Sequence, residues 1–564
     1  MARAELERPA LPREPSDTIP IAIEAATPAE NRLVLWHVYT ATAALTLGAL
    51  FGLLQGFSRA GYLAMPAYFD YYRMLTAHGV LMALVFTTFF ICGFFTWSTY
   101  QSIERTRSVT VGWIGYCVML LGTAMATVAI LSGDASVMYT FYAPMKASPL
   151  FYFGATFLVA GTWFTAFDVL ENVVWFKRRN PGERIPLPAF LAATTFIMWI
   201  IATIGVVIEM LFLIPWSLGW TPGIDVELSR MLLWYFGHPL VYFWIMAAYA
   251  IWYTLVPARF GGHIFSDALT RTTFIILLLL STPVGLHHQF LDPGVSSGWK
   301  WMHTVATYGV VFPSIMTAFA VFASFEIAAR RAGKRGFFGT IAFLPWKDPV
   351  FAGPALGMIL FIFGGFGGIV NSSYSMDILV HNTMWIVGHF HVTVGGPVAL
   401  TFIGATYALI PKLSGRKLFA PQLALVQVYL WFVGMMIMST AMHWAGLLGS
   451  PRRTSDVSYF GAQGAATWHP EMLWAALGGA LIATSVLLFI IVATGTYLRN
   501  ERAAVPPSFE FAPVDADAMP TPAILDKLGR FAVIALVLAI LAYAGPVTQE
   551  LQAHPYLAPG MRTW

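Results

Sequence analysis

The chain has 564 residues, of which 58% are hydrophobic and 15% aromatic, while only 11% carry charge. A soluble protein of this length divides into several domains and carries about 25% charge, so a water-soluble enzyme is excluded. The net charge of +4 says little by itself, because the distribution of charge is what matters, and no nucleic-acid partner is expected.

The apolar residues arrive in runs of about 20 or more, the length that crosses roughly 30 Å of hydrocarbon at about 1.5 Å per residue. They predict an all-α polytopic membrane protein with thirteen spans. The first six fall at about 33–57, 74–98, 110–132, 150–176, 187–215 and 231–256. The rest fall at about 272–291, 301–329, 350–372, 381–411, 422–449, 471–498 and 529–546. Residues 1–30, with Arg3, Arg8, Arg13 and Asp17, read as a cytoplasmic tail, and no signal peptide is expected ahead of the first span. Residues 31–498 form a twelve-helix core, 499–528 a Pro-, Ala- and acid-rich cytoplasmic linker, and 529–564 the thirteenth helix with an external tail. Cys92 and Cys117 both lie within apolar segments and read as packed small hydrophobes, not as a disulfide or a thiolate cluster.

Orientation follows from Lys and Arg. The N-terminal tail and every second loop hold 24 of the 32 basic residues, among them Arg105, Arg107, Lys177, Arg259, Arg331, Lys412 and Arg502. The opposite side holds Arg59, Arg73, Lys146, Arg230, Lys300, Arg452, Arg453 and Arg562. Positive charge is retained on the cytoplasmic side, so the N-terminus is expected inside and the C-terminus outside.

Six histidines interrupt the apolar helices: His78, His238, His287, His288, His389 and His391. Ionisable groups inside a membrane are costly and mark function, and imidazole is the commonest ligand for redox metals. On the predicted topology all six lie at similar depth in the outer half of the membrane, which scattered structural histidines would have no reason to do. Residues two apart on a helix differ by about 200°, so His389 and His391 point apart and suit two separate haems. His238 and Tyr242, four apart, share a face. His287 and His288, adjacent and about 100° apart on a helix, can approach one metal together with His238. Three neutral imidazoles with an open position suit copper.

The strings FGHPLVYFW (236–244), STPVGLHHQF (281–290), HNTMWIVGHFH (381–391) and HWAGLLGSPRR (443–453) resemble subunit I of the haem–copper oxygen reductases. The likeness is to the B family, which includes the ba-type cytochrome c oxidases, and it runs from about residue 30 to the end. The resemblance implies a terminal respiratory oxidase that reduces O2 to water, with proton uptake and translocation. It implies His78 and His391 as axial ligands of a low-spin, b-type haem, and His389 as the ligand of a high-spin haem of a- or b-type. It also implies His238, His287 and His288 on the copper called CuB, with Tyr242 joined covalently to the His238 ring. Trp234, Arg452, Arg453, Asp377 and His381 are expected around the cofactors, the two arginines as partners of haem propionates.

Tyr249 and Tyr253 continue from Tyr242 along one helical face, and Ser314, Thr317 and Ser324 make a similar strip on span 8. These residues resemble the single proton channel of the B family. Two departures stand out. Leu240 occupies the place where the mitochondrial-like A family carries Glu, and Ala320 interrupts the strip where close relatives carry a hydroxyl.

The resemblance further implies a subunit II with a dinuclear copper electron-entry site, a small additional membrane subunit, and cytochrome c or a small copper protein as donor. The lipid of a prokaryotic plasma (inner) membrane would surround it. A nitric oxide reductase of the same superfamily is the nearest rival, disfavoured by Tyr242 and by the lack of acids beside the histidines. A secondary transporter is the rival of another class, disfavoured by the lack of an internal repeat. His37, His263, His303, His443, His469 and His554 read as structural or surface residues, and Glu209 as a buried carboxylate of undecided role.

Overall fold

The computed structural model describes residues 27–103, 109–503, 509–515, 519–553 and 556–562. Most of the N-terminal tail, Arg105, Arg107 and His554 lie outside the described residues. Among the described residues, thirteen helices are long and apolar enough to span a membrane: α1 Pro28–Arg59, α2 Tyr71–Ser102, α3 Thr110–Leu131, α4 Pro149–Arg179, α5 Leu187–Ser217, α6 Val226–Phe260, α7 Asp267–Gln289, α8 Ser297–Arg331, α9 Pro349–Ser372, α10 Met384–Ser414, α11 Pro421–Leu447, α12 His469–Leu498 and α13 Leu528–Ala553. A helix satisfies its own backbone donors and acceptors within one segment, which is why lipid selects it. The predicted set agrees span for span.

The helices are irregular where the histidines sit. α2 carries a π-helical stretch at Val80–Phe86, just after His78, and α10 carries another at His391–Val398. Wider turns of this kind are found mostly as short insertions near functional sites. α7 is α-helical only to Ser281 and resumes as a 3-10 turn at Leu286–Gln289. The apolar run predicts a continuous span with His287 and His288 on an α-helix; Pro283 and Gly285 break it. A side chain at Gly285 would collide with the Trp234 carbonyl and the Tyr543 hydroxyl, so only glycine lets the chain turn there. α10 begins at Met384, and a separate short helix, Tyr374–Val380, precedes it.

The C-terminal tail returns to a defined surface. Met561–Arg562 pairs in parallel with Met145–Lys146, and Ala558 bridges Ile224. Residues 556–562 therefore lie on the side of the α3–α4 and α5–α6 loops. On the other side, the described part of the linker docks against the bundle: the Ala512 amide donates to Thr254 O at 2.7 Å, and Phe509 stacks on Trp97.

Helix pairs approach closely at glycines, as apolar solvent demands of packing-driven association. A Cβ on Gly478 would lie 2.5 Å from Met438 N and 2.8 Å from Gly434 O. Gly478→Val should therefore prise α11 from α12 at a cost of about 1–3 kcal/mol, measured as a lower thermal midpoint in detergent.

Candidate metal centre

α6, the turn ending α7, and the start of α8 together build a cluster of three imidazoles. The His238 and His287 rings are 4.4 Å apart and those of His287 and His288 4.2 Å. His238 Nδ1 faces His288 Nε2 at 3.3 Å. One nitrogen from each ring lies within 4.8 Å of the others, so the three rings could each offer one ligand atom to a single ion.

Neighbouring groups decide which nitrogens those are. The Thr307 hydroxyl donates to His303 O at 2.6 Å, so towards His287 Nδ1, at 3.0 Å, it can only accept. His287 Nδ1 therefore carries the hydrogen and its Nε2 is left for a metal. Trp234 stacks on His288 at 3.9 Å and 4°, which fixes the plane of that ring. His238 turns Nδ1 into the cluster and leaves Nε2 buried without a hydrogen-bond partner. The Tyr242 ring stands beside it, centroids 4.8 Å apart.

The second site is a facing pair. The His78 and His391 rings are nearly parallel (11°), with centroids 6.0 Å apart. Two metal–nitrogen bonds of about 2.0–2.1 Å, plus roughly 1.1 Å from each nitrogen to its ring centre, span about 6.2 Å. The pair thus has the separation of two imidazoles sharing one metal. His78 Nδ1 lies 2.8 Å from Gly48 O, and His391 Nδ1 2.8 Å from Val387 O. A carbonyl only accepts, so both Nδ1 atoms donate and both Nε2 atoms are free. Gly52 leaves room for the His78 ring, since a Cβ there would come within 2.9 Å of it.

His389 turns the other way, as its two-residue offset from His391 requires. It packs on α9, where a Cβ at Gly367 would lie 2.7 Å from its Nδ1. Thr393 donates to His389 O at 2.7 Å and faces its Nδ1 at 3.3 Å, repeating the arrangement of Thr307 with His287.

Above the histidines, residues 450–453 are strapped to the entrance of α10. Met384 N donates to Ser450 O, and Arg452 N to Asn382 O. The Arg452 Nε is buried with no partner. Burial first, and Arg453 second, push this guanidinium down to about 10, so it stays cationic at neutral pH. Arg453 lies 4.6 Å over the Tyr142 ring. His381 Nδ1 meets Asp377 Oδ2 at 2.7 Å, both side chains buried. Two cations with an orphaned donor fit an anionic group such as a propionate.

Of the predicted strip, Tyr249 donates to Ser314 Oγ at 3.2 Å, and Tyr253 lies beside Thr317 and Thr273. Both threonines donate to carbonyls of their own helices, and the Tyr253 hydroxyl is buried beside them without a hydrogen-bond partner. Ser324 is drawn away instead, accepting from the Phe265 amide at 3.1 Å. Ala320, 1% exposed, offers no polar side-chain atom between them.

Several partners are not evident from the sequence. Thr307 and Thr393 each follow a histidine at i+4, a spacing that points to Thr393 once His389 is a candidate. His303, which reads as structural in the sequence, bridges two elements. Its Nδ1 accepts from Gly285 N and Leu286 N, and its Nε2 donates to Ala542 O of α13. Gln289 donates to Glu227 at 3.0 Å. Glu209 accepts from Ser229 at 2.8 Å, and its other oxygen has no partner.

A thirteen-helix bundle that holds one facing imidazole pair and a separate three-imidazole cluster is a membrane metalloprotein built for redox chemistry. Residues 32–481 match the model of the family described as Cytochrome C and Quinol oxidase polypeptide I. Cytochrome c oxidase subunit 1 of Thermus thermophilus is 40% identical over 554 residues, covering 95% of this chain and 97% of that protein. The subunit 1 of Alkalihalophilus pseudofirmus is 23% identical over 537 residues, covering 88% and 81%. A cryo-electron microscopy structure of a haem–copper terminal oxidase dimer superposes with a TM-score of 0.91 at 35% identity, covering 95% of this chain and 96% of that one. The chain belongs to the cytochrome c and quinol oxidase polypeptide I family, and is the catalytic subunit of a haem–copper terminal oxidase, a family that carries haem and CuB.

Second-sphere partners of a metal-bound histidine typically change affinity by about 10–100-fold when lost. Thr307→Val should accordingly lower copper retention on dialysis against a chelator, measured by metal analysis, with haem content unchanged.

Proposed function

We propose that the chain reduces O2 to water between a high-spin haem on His389 and a copper on His238, His287 and His288, with electrons arriving through a low-spin haem on His78 and His391. The observation that carries this reading is the free nitrogen on each ring. His78, His391 and His287 each commit Nδ1 to the protein and present Nε2. Bound there, haem and copper supply electron storage and the open position for O2.

The protein's own groups do the rest. Tyr242, beside the unpartnered Nε2 of His238, is the phenol that supplies a proton and an electron at the site, covalently joined to that ring. Trp234 and Thr307 hold the copper ligands in plane and tautomer. Arg452 and Arg453 receive the propionates, and Asp377 with His381 forms the adjoining acid–base pair. Protons reach Tyr242 by way of Tyr253, Thr317, Tyr249 and Ser314. A water bridges the Ala320 gap from Ser324. The B-family reading is supported by Leu240 and by the Thermus relative.

The finer assignments follow the same reading. The basic side of the bundle faces the cytoplasm of a prokaryotic inner membrane. A second subunit bearing a dinuclear copper centre passes electrons inward from cytochrome c or a small copper protein, alongside a small additional membrane subunit.

Optical spectra of the purified protein, oxidised, reduced and reduced under carbon monoxide, test the assignment together with metal analysis. Two haems and one copper per chain are expected, with only one haem responding to carbon monoxide. Non-haem iron in place of copper would move the protein to nitric oxide reduction. Tyr249→Phe and Thr317→Val should each slow proton uptake at least tenfold, about 1.4 kcal/mol in the barrier, when followed by flow-flash with a pH dye. Rates near wild type would remove the channel assignment.

A further inference from the structure

Arg59 closes α1 and is 95% buried, since its relative exposure is 5%. Among the described residues, no carboxylate pairs with it. Its guanidinium is occupied by backbone and hydroxyl oxygens instead. It donates to Arg452 O at 3.0 Å, to Pro451 O, to Ser450 Oγ at 3.4 Å, to Tyr459 OH at 3.2 Å and to Tyr71 OH at 3.3 Å. Three of these five acceptors belong to residues 450–452, the segment that carries Arg452. The fork of a guanidinium is suited to gripping two carbonyls at once, which an ammonium at the same place could not do in one plane.

The same helix also seats a candidate haem ligand. Gly48 accepts from His78 Nδ1, and Gly52 makes room for that ring. From Gly48 to Arg59 is eleven residues, about 16 Å along one rigid helix. α1 therefore holds the His78 ring with one part of its length and the arginine segment with its last residue. Burying a cation with no carboxylate partner is costly, and here it fixes the 450–452 segment.

We propose that Arg59 is a positioning residue that sets the placement of Arg452 relative to the low-spin haem and so tunes that haem's reduction potential. The proposal rests on the reading of Arg452 as a propionate partner and of His78 as an axial ligand.

Redox titration of the purified oxidase, followed at the low-spin absorption band, tests it. Arg59→Ala should lower the low-spin midpoint potential, because a cation that withdraws from the haem edge no longer disfavours the oxidised form. In an Arg452→Ala background the same change should produce no further shift, since its effect travels through that side chain. Arg59→Lys, which keeps the charge but not the fork, should give a smaller shift in the same direction, and it carries the comparison if Arg59→Ala does not retain haem. A lowered thermal midpoint with an unmoved potential in Arg59→Ala and Arg59→Lys would overturn the proposal, as would additive shifts in the double variant. An Arg452→Ala protein with both haem potentials unmoved would instead remove the propionate reading, and this inference with it.

Discussion

The structure depends on one constraint, met at four of the six rings: an imidazole in a dry bundle is held in a fixed direction when one of its nitrogens is committed to the protein. Unpartnered polar atoms are costly away from water, and a free-swinging ring could not hold a metal in a fixed direction. His78 and His391 meet the constraint through helix carbonyls, and His287 and His389 through threonine hydroxyls. Each threonine is itself held by a carbonyl of its own helix, one turn back. The orientation of the ligands is thus a property of helix geometry.

Irregularity is concentrated at the same places. Both members of the facing pair adjoin π-helical stretches, and the adjacent pair sits on a 3-10 turn beyond a Pro–Gly break. A regular α-helix offers side chains only at 100° steps, and widening or tightening a turn re-aims them. Freed backbone groups are tolerated because they face protein: the Gly285 and Leu286 amides, exposed by the break in α7, are both taken up by His303. That histidine also ties α13 to the turn of His287 and His288 through Ala542, so the last helix braces the cluster without contributing a ring to it.

The outer edge of the site shares its supports in the same way. The segment carrying Arg452 and Arg453 is bonded to the entrance of α10 on one side and to the end of α1 on the other. α1 and α10 also furnish the seat of His78 and the side chain of His391. Helices that hold the rings therefore also hold the cations above them, and a displacement of either would move both. At the opposite edge the polar strip is discontinuous at Ala320, which offers no polar side-chain atom.

Much of this was determined by the sequence alone. Thirteen apolar runs, the six histidines, Tyr242 at i+4 from His238 and the arginine pair at 452–453 are written in residue type and spacing, because lipid thickness and helical pitch convert spacing directly into position. The opposed directions of His389 and His391 followed from the same arithmetic. The tertiary structure decided what depends on contacts between distant segments: the break that lifts His287 and His288 off the helix, and the ring nitrogen that His78, His287 and His391 each leave free. It also decided that Ser324 serves a loop amide and that Arg59 grips a segment almost four hundred residues away. Local periodicity states which face a side chain occupies. Only packing states which oxygen or nitrogen waits there to meet it.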